Sequence, residues 1–368
     1  MSTFRSVKIV GCGLIGTSIA LRLREKGLEV SVFDTNVTNL ALARDLISSE
    51  EDLHSTHRSN PEVVIVATPP SSILDSLLLE FTANPKATFI EVGGVKSNLL
   101  VKIAKFPELE INFCAVHPMA GREVSGPQSA RSDLFESRAW IVSPTEKSSP
   151  KAISIATELG KILGSTPYEI SAVDHDAAIA AISHMPQILS SLLASTLLDQ
   201  GGGLGNDSQV SALDLAGQGL RDMTRLADSD SALWSTLLLE NSDQLQKRLE
   251  KFAADLDSLA SALKNSNLDA IKNYLVKGNE GRALIPGKHG AKSRNYTYLP
   301  IVINDQPGQL SAIFSECSLV NVNVEDLQLE HSPGQQTGLI TLALSESDAE
   351  KLKSHLEQRG WMAHELRK

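Results

Sequence analysis

The chain is 368 residues long, 42% hydrophobic and 21% charged, an ordinary globular balance that sustains two or three domains with real cores and argues against extensive disorder. A formal net charge of -10, from 34 basic and 44 acidic residues, and the lack of any Lys/Arg cluster interleaved with aromatics make nucleic acid a poor partner. Three widely separated cysteines, Cys12, Cys114 and Cys317, lack metal-ligand spacing, and no leader or apolar run approaching the ~20 residues of a membrane span is evident, so a soluble, cytoplasmic, metal-free protein with reduced thiols is expected.

The first third alternates strand and helix. "SVKIVGCGLIGTSIALRLREKGLEVSVFDTN" predicts a strand from Val7 to Val10, a glycine turn, a helix from Leu14 to Lys26, a stop at Gly27, and a strand from Glu29 to Phe33 that ends in Asp34. Ile15, Ile19, Ala20 and Leu23 give the helix one buried stripe. Further strands are expected at "EVVIVATPP", "ATFIEVGG", "INFCAVHP", "AWIVSP" and "STPYEIS". Strands this apolar, separated by helices, imply a doubly wound sheet covered on both faces.

From Ala172 strand-like runs vanish. "AVDHDAAIAAISHMPQILSSLLASTLLD", "SALDLAGQGLRDMTRLAD" and "SALWSTLLLENSDQLQKRLEKFAADLDSLASALKN" are helical, with a glycine-rich break at "QGGGLGNDS". After the polar segment "KGNEGRALIPGKHGAKSRNYT" comes a strand-helix-strand-strand-helix module built on "YLPIVIND", "GQLSAIFSECSL", "NVEDLQLEHS", "TGLITLALS" and "SDAEKLKSHLEQRG". The expected domains are α/β over 1–171, all-α over 172–280, a linker over 281–296 and a small α+β domain over 297–368.

Gly11-Cys12-Gly13-Leu14-Ile15-Gly16 fits G-x-G-x-x-G, follows a strand and opens a helix, with Asp34 eighteen residues beyond the third glycine. Such glycines let the backbone approach a pyrophosphate at the helix N-terminus, so Gly11, Gly13, Leu14, Ile15 and Gly16 are cofactor-binding candidates. Asp34 suits an unphosphorylated adenosine ribose and therefore NAD over NADP. Thr68, past the carboxyl end of "EVVIVA", joins this group.

A bound nicotinamide needs a partner that gives or takes hydride. His117, near the tip of "INFCAVHP", sits where ligands bind in open sheets, and a neutral imidazole there can take the proton of an alcohol. Spacing alone leaves open a histidine that only caps the strand.

The set "GCGLIGTS", "EVGGVKS", "HPMAGREVSGP", "DLFESRAWIVSP", "HDAAIAAISHMPQ" and "LRDMTRLADSDSALWSTLLLEN" resembles the prephenate dehydrogenase family, over roughly residues 5–275. The resemblance implies a Rossmann domain and a helical dimerisation domain, hence a homodimer, and NAD-dependent oxidative decarboxylation of prephenate to 4-hydroxyphenylpyruvate in tyrosine biosynthesis. It makes His117 the base and Arg225 the carboxylate-binding arginine. His184, Lys96 and Trp234 are implied near the substrate, with Glu123 as a gate or supporting partner. Gly94 stands beside the nicotinamide, where relatives often carry serine. Relatives also place a second histidine where this chain has Gln187, one turn from His184. An uncharged amide there tolerates the ammonium of arogenate, which keeps arogenate open as the substrate.

The tail resembles an ACT domain through Asp305-Gln306-Pro307-Gly308-Gln309-Leu310. That implies an amino-acid effector, tyrosine by function, with Asp305, Gly308 and Asn323 as candidate contacts. Two other readings stay open: a dehydrogenase of 3-hydroxy acids, which would use a lysine of the helical domain, and a non-enzymatic sensor of NAD and an amino acid.

Overall fold

A computed structural model of the chain describes residues 2–48, 60–121, 124, 126–198, 212–285, 296–331 and 336–367. The chain divides into two compact units, Met1–Ala253 and Ala254–Lys368. Glu123 and the glycine-rich stretch 201–205 lie outside the described residues.

In the first unit seven strands, β1 (Ser6–Val10), β2 (Glu29–Phe33), β3 (Val63–Val66), β4 (Thr88–Glu91), β5 (Phe113–Pro118), β6 (Ala139–Ser143) and β7 (Thr166–Glu169), lie in the order β2-β1-β3-β4-β5-β6-β7. Every neighbouring pair is parallel except β5 and β6. The accompanying helices are α1 (Leu14–Glu25), α2 (Val37–Ile47), α3 (Ile73–Ala83), α4 (Ser97–Ile103), α5 (Pro107–Ile111) and α6 (Pro150–Ile162). Both sheet faces are dry: Ile9, Ile65, Ile90 and Cys114 pack into one core, Val10, Val64, Phe89 and Phe113 into another. That is why β3 reads Val-Val-Ile-Val, with no position left for a polar side chain. The strand order reverses between β1 and β3, which opens a crevice beyond their carboxyl ends.

The helical part comprises α7 (Ala172–Ile179), a π turn (Ala180–His184), α8 (Met185–Ser195), α9 (Gln218–Thr224), α10 (Ser231–Glu240), α11 (Ser242–Lys264) and α12 (Leu268–Ala283); the division between the units falls within α11. Residues 172–195 correct one expectation, because this continuous helical stretch is long and apolar enough by composition to cross a membrane. Here Ala180 and Met185 of that stretch are buried against Leu245 of α11. Of its most apolar window 33% is buried, and Val173, Ile182 and Leu192 of the stretch are exposed.

In the second unit β8 (Thr297–Asn304), α13 (Gln309–Leu319), β9 (Asp326–His331), β10 (Thr337–Leu344), α14 (Glu346–Gln358) and β11 (Met362–Ala363) build an antiparallel sheet in the order β11-β8-β10-β9. This is the split βαββαβ arrangement. Leu299, Ile301, Ile340 and Leu342 pack against Ile313, Leu352 and Leu356 of the helices. Strand β11 was not expected, since two residues carry no readable period.

Candidate active site

The glycine loop joins β1 to α1. Gly11 has φ +103, and a Cβ there would meet the Ala67 carbonyl oxygen at 2.5 Å, so only glycine admits the close approach of the β1 and β3 ends. A Cβ on Gly16 would stand 2.0 Å from the Gly11 carbonyl oxygen. Gly13 faces open space, and α1 begins with neither a side-chain cap nor an acidic residue in its first turn. Its first amides are therefore available to an anion. Leu14 and Ile15 are half-buried, and Ile15 packs on the sheet core.

Asp34, just past β2, accepts hydrogen bonds from the Cys12 amide at 2.6 Å and the Asn36 amide at 2.7 Å, which ties the glycine loop to the second strand. Burial, with help from the Asp34 charge, raises the Cys12 thiol to about 11, so no thiolate repels an anion in this loop. The Thr68 hydroxyl is buried beside the crevice and has no hydrogen-bond partner among the described residues. Glycines, uncapped amides, a carboxylate and an orphaned hydroxyl together fit a dinucleotide.

At the end of β4 the chain turns through Gly93 and Gly94 into α4. The Lys96 ammonium bonds to Glu91 and, at 2.7 Å, to the Gly93 carbonyl; both charged side chains are 0% exposed. Burial lowers the Lys96 pKa and the Glu91 charge opposes it. Lys96, expected among substrate contacts, thus spends its ammonium inside the fold, pinning the loop that carries Gly94. A Cβ on Gly94 would lie 3.9 Å from His117 Nε2 and 3.2 Å from Leu237 of α10.

His117 is half-buried on β5. Its Nδ1 lies 2.8 Å from His175 Nε2, and His175 Nδ1 lies 2.7 Å from Asp176 Oδ1. The Asp176 carboxylate also accepts the backbone amides of Lys96 at 2.9 Å and Ser97 at 2.7 Å. Burial would raise the Asp176 pKa, but the hydrogen bonds from His175 and the Ser97 amide outweigh it and the net shift is downward. Burial, then the Lys96 charge, holds the His117 pKa well below 6.5, so this ring is neutral at neutral pH.

Pro186 sits in the first turn of α8 and has no amide to donate four residues back. The backbone widens there into the π turn, with the Met185 amide bonded to the Ala180 carbonyl. This turn carries His184, whose ring meets Trp234 of α10 edge-to-face with centroids 5.8 Å apart. The Asn241 amide nitrogen lies 2.9 Å from the Asp176 backbone carbonyl and 3.2 Å from His184 Nδ1. Burial lowers the His184 pKa to about 4.

Gln187 is buried, and its amide donates to the Leu226 carbonyl at 2.8 Å, while the Ser229 hydroxyl donates to that carbonyl at 2.6 Å. These bonds hold the short turn Arg225–Ala227, in which Arg225 is exposed. Gln187 therefore grips the segment that presents Arg225. In the second unit Gly308 has φ +90 and caps α13, the Asp305 amide bonds to the Gln336 carbonyl at 2.8 Å, and the Asn323 amide donates to Glu325 at 3.1 Å.

The structure thus gathers His117, Gly94, His184 and Trp234 around one buried polar cluster. Sequence reasoning missed four of its members: Glu91, His175, Asp176 and Asn241. Glu91 had a signal, a lone charge closing an apolar strand. His175 and Asp176 had a weaker one, two polar residues in a helix otherwise rich in alanine and isoleucine.

A glycine-built dinucleotide loop and a histidine relay at the carboxyl ends of one largely parallel sheet define an NAD-dependent dehydrogenase. The model of the prephenate dehydrogenase nucleotide-binding domain matches residues 19–167, and that of the prephenate dehydrogenase dimerisation domain matches 171–277. The chain belongs to the prephenate dehydrogenase family. A probable prephenate dehydrogenase of Streptomyces niveus is 28% identical, over 98% of this chain and 99% of that one. Prephenate dehydrogenase of Aquifex aeolicus, solved with hydroxyphenyl propionate and NAD+, is 25% identical with a TM-score of 0.65, covering 76% of this chain and 98% of that one. Synechocystis arogenate dehydrogenase is 26% identical with a TM-score of 0.61, over 75% and 98%.

Proposed function

We propose that the chain oxidatively decarboxylates prephenate to 4-hydroxyphenylpyruvate. The observation that carries this reading is His117, tied through Nδ1 to a buried relay while Nε2 lies beside Gly94. Gly11, Gly13, Gly16, Asp34 and Thr68 would hold NAD, which supplies the hydride acceptor when bound; Asp34 favours it over NADP. His117 takes the proton of the ring hydroxyl as the alcohol carbon loses hydride, and a ring ketone forms. The bond to the carboxylate then breaks, carbon dioxide leaves, and the released electron pair aromatises the ring onto the former ketone oxygen. Arg225 pairs with a substrate carboxylate, a task suited to a guanidinium. Lys96 acts at one remove by fixing the Gly94 loop.

Arogenate is the second reading, favoured by Gln187, an uncharged and internally bonded amide where relatives carry histidine. NADH formation with prephenate and with arogenate, compared by kcat/KM, tests the assignment: a larger value for prephenate is expected, a much larger one for arogenate overturns it, and none with either removes the enzyme reading. We further read 1–171, 172–280 and 297–368 as cofactor, dimerisation and ACT-like regulatory domains, with tyrosine as the effector, in a cytoplasmic homodimer.

A further inference from the structure

Two neutral histidines near one cleft are not chemically equivalent when their proton-bearing nitrogens differ. Asp176 receives the backbone amides of Lys96 and Ser97, groups that can only donate, so its carboxylate accepts at every contact. The hydrogen shared with His175 therefore sits on His175 Nδ1, and in a neutral ring that leaves a lone pair on His175 Nε2. The hydrogen in the 2.8 Å contact to His117 must then belong to His117 Nδ1. In a neutral ring that leaves the lone pair on His117 Nε2, the atom beside Gly94.

His184 is set the other way. The Asp176 backbone carbonyl can only accept, so the Asn241 atom 2.9 Å from it is the amide nitrogen. The same nitrogen faces His184 Nδ1 at 3.2 Å and donates to it, which puts the His184 proton on Nε2. His184 has no lone pair left with which to act as a base.

We propose that His175 and Asp176 are positioning residues that fix the His117 tautomer and receive its charge: His117 takes the substrate proton on Nε2 and passes its Nδ1 proton to His175. This rests on the dehydrogenase reading for the source of that proton. The balance is closed. The substrate O–H bond breaks as the His117 Nε2–H bond forms, the His117 Nδ1–H bond breaks as the His175 Nε2–H bond forms, and the positive charge comes to rest against the Asp176 carboxylate. The other titratable groups acting on His117 are Lys96, whose ammonium Glu91 holds, and His184 on the π turn; Cys114 on β5 lies near Lys96, and burial pushes its thiol up to about 12. Among these contacts the Asp176 carboxylate is the anion that bonds directly to the relay.

The direct test is the tautomeric state in the full-length protein labelled with 15N-histidine, read from long-range 1H–15N correlations at neutral pH and assigned with single His→Asn variants. We expect His117 protonated on Nδ1 and His184 on Nε2; a His117 proton on Nε2 overturns the proposal. This readout needs no turnover, so it stands or falls apart from the substrate assignment. The kinetic arm is Asp176→Asn, whose amide can donate to His175 and invert the relay. The expected result is a kcat loss of about 10²–10⁴-fold with NAD affinity kept, and any residual activity with its acid limb moved to lower pH because the stabilising carboxylate is gone. An unmoved acid limb with near-normal kcat overturns the relay, and a variant that does not fold leaves the wild-type tautomers to decide.

Discussion

An asparagine at position 117 keeps a polar side chain of similar reach at the strand tip but has no nitrogen that titrates. His117→Asn is expected to bind NAD as before, measured by fluorescence titration, and to lose about 10²–10⁴-fold in kcat. The wild-type pH profile follows from the lowered pKa of the same ring. A base works when deprotonated, and burial together with the Lys96 charge keeps His117 deprotonated through its ordinary titration range. The plateau of kcat/KM should therefore continue below pH 6.5; an acid limb centred at or above that value contradicts the burial described. His117 was legible because it closes an apolar strand at a place where chemistry belongs. Its partners were not: His175 and Asp176 follow Ser171, which caps α7, and read along the chain as the polar first turn of a helix. Only tertiary packing shows that they are buried and which atoms they meet.

The π turn is the element on which the placement of His184 depends. Pro186→Ala restores an amide donor four residues beyond the Ile182 carbonyl and draws the backbone toward the ordinary helical spacing. The variant should melt at a higher temperature while kcat/KM falls at least about tenfold, because His184 and Trp234 lose their register. Unchanged kinetics would detach the widened turn from the site. Sequence periodicity places His184 and Gln187 on one helical face, yet the two side chains have different partners: His184 meets Asn241, and Gln187 reaches Leu226. A period of 3.6 cannot register one extra residue in a turn, and the proline was its one sign. The α1 loop was the opposite case, since each glycine there answers a local backbone demand that spacing alone expresses.

For the whole chain, ending translation after Ile285 keeps both regions matched by the family models, 19–167 and 171–277. That truncation is expected to retain turnover within about twofold and, with tyrosine as the proposed effector of the intact chain, to lose inhibition by it. Inhibition that persists would assign tyrosine to the active site as a competitor resembling the product. The doubly wound sheet and the helical stretch could be read from the sequence because hydrophobic period changes sharply at Ala172. The closing strand of the tail could not, because its identity lies in its partner rather than in its two residues. That partner has a wider meaning. Strand β11 pairs with β8, and Tyr298 and Arg367 bond to each other across the same edge. The module's first and last strands thus lie side by side, so that its sheet is closed on that edge by its own chain.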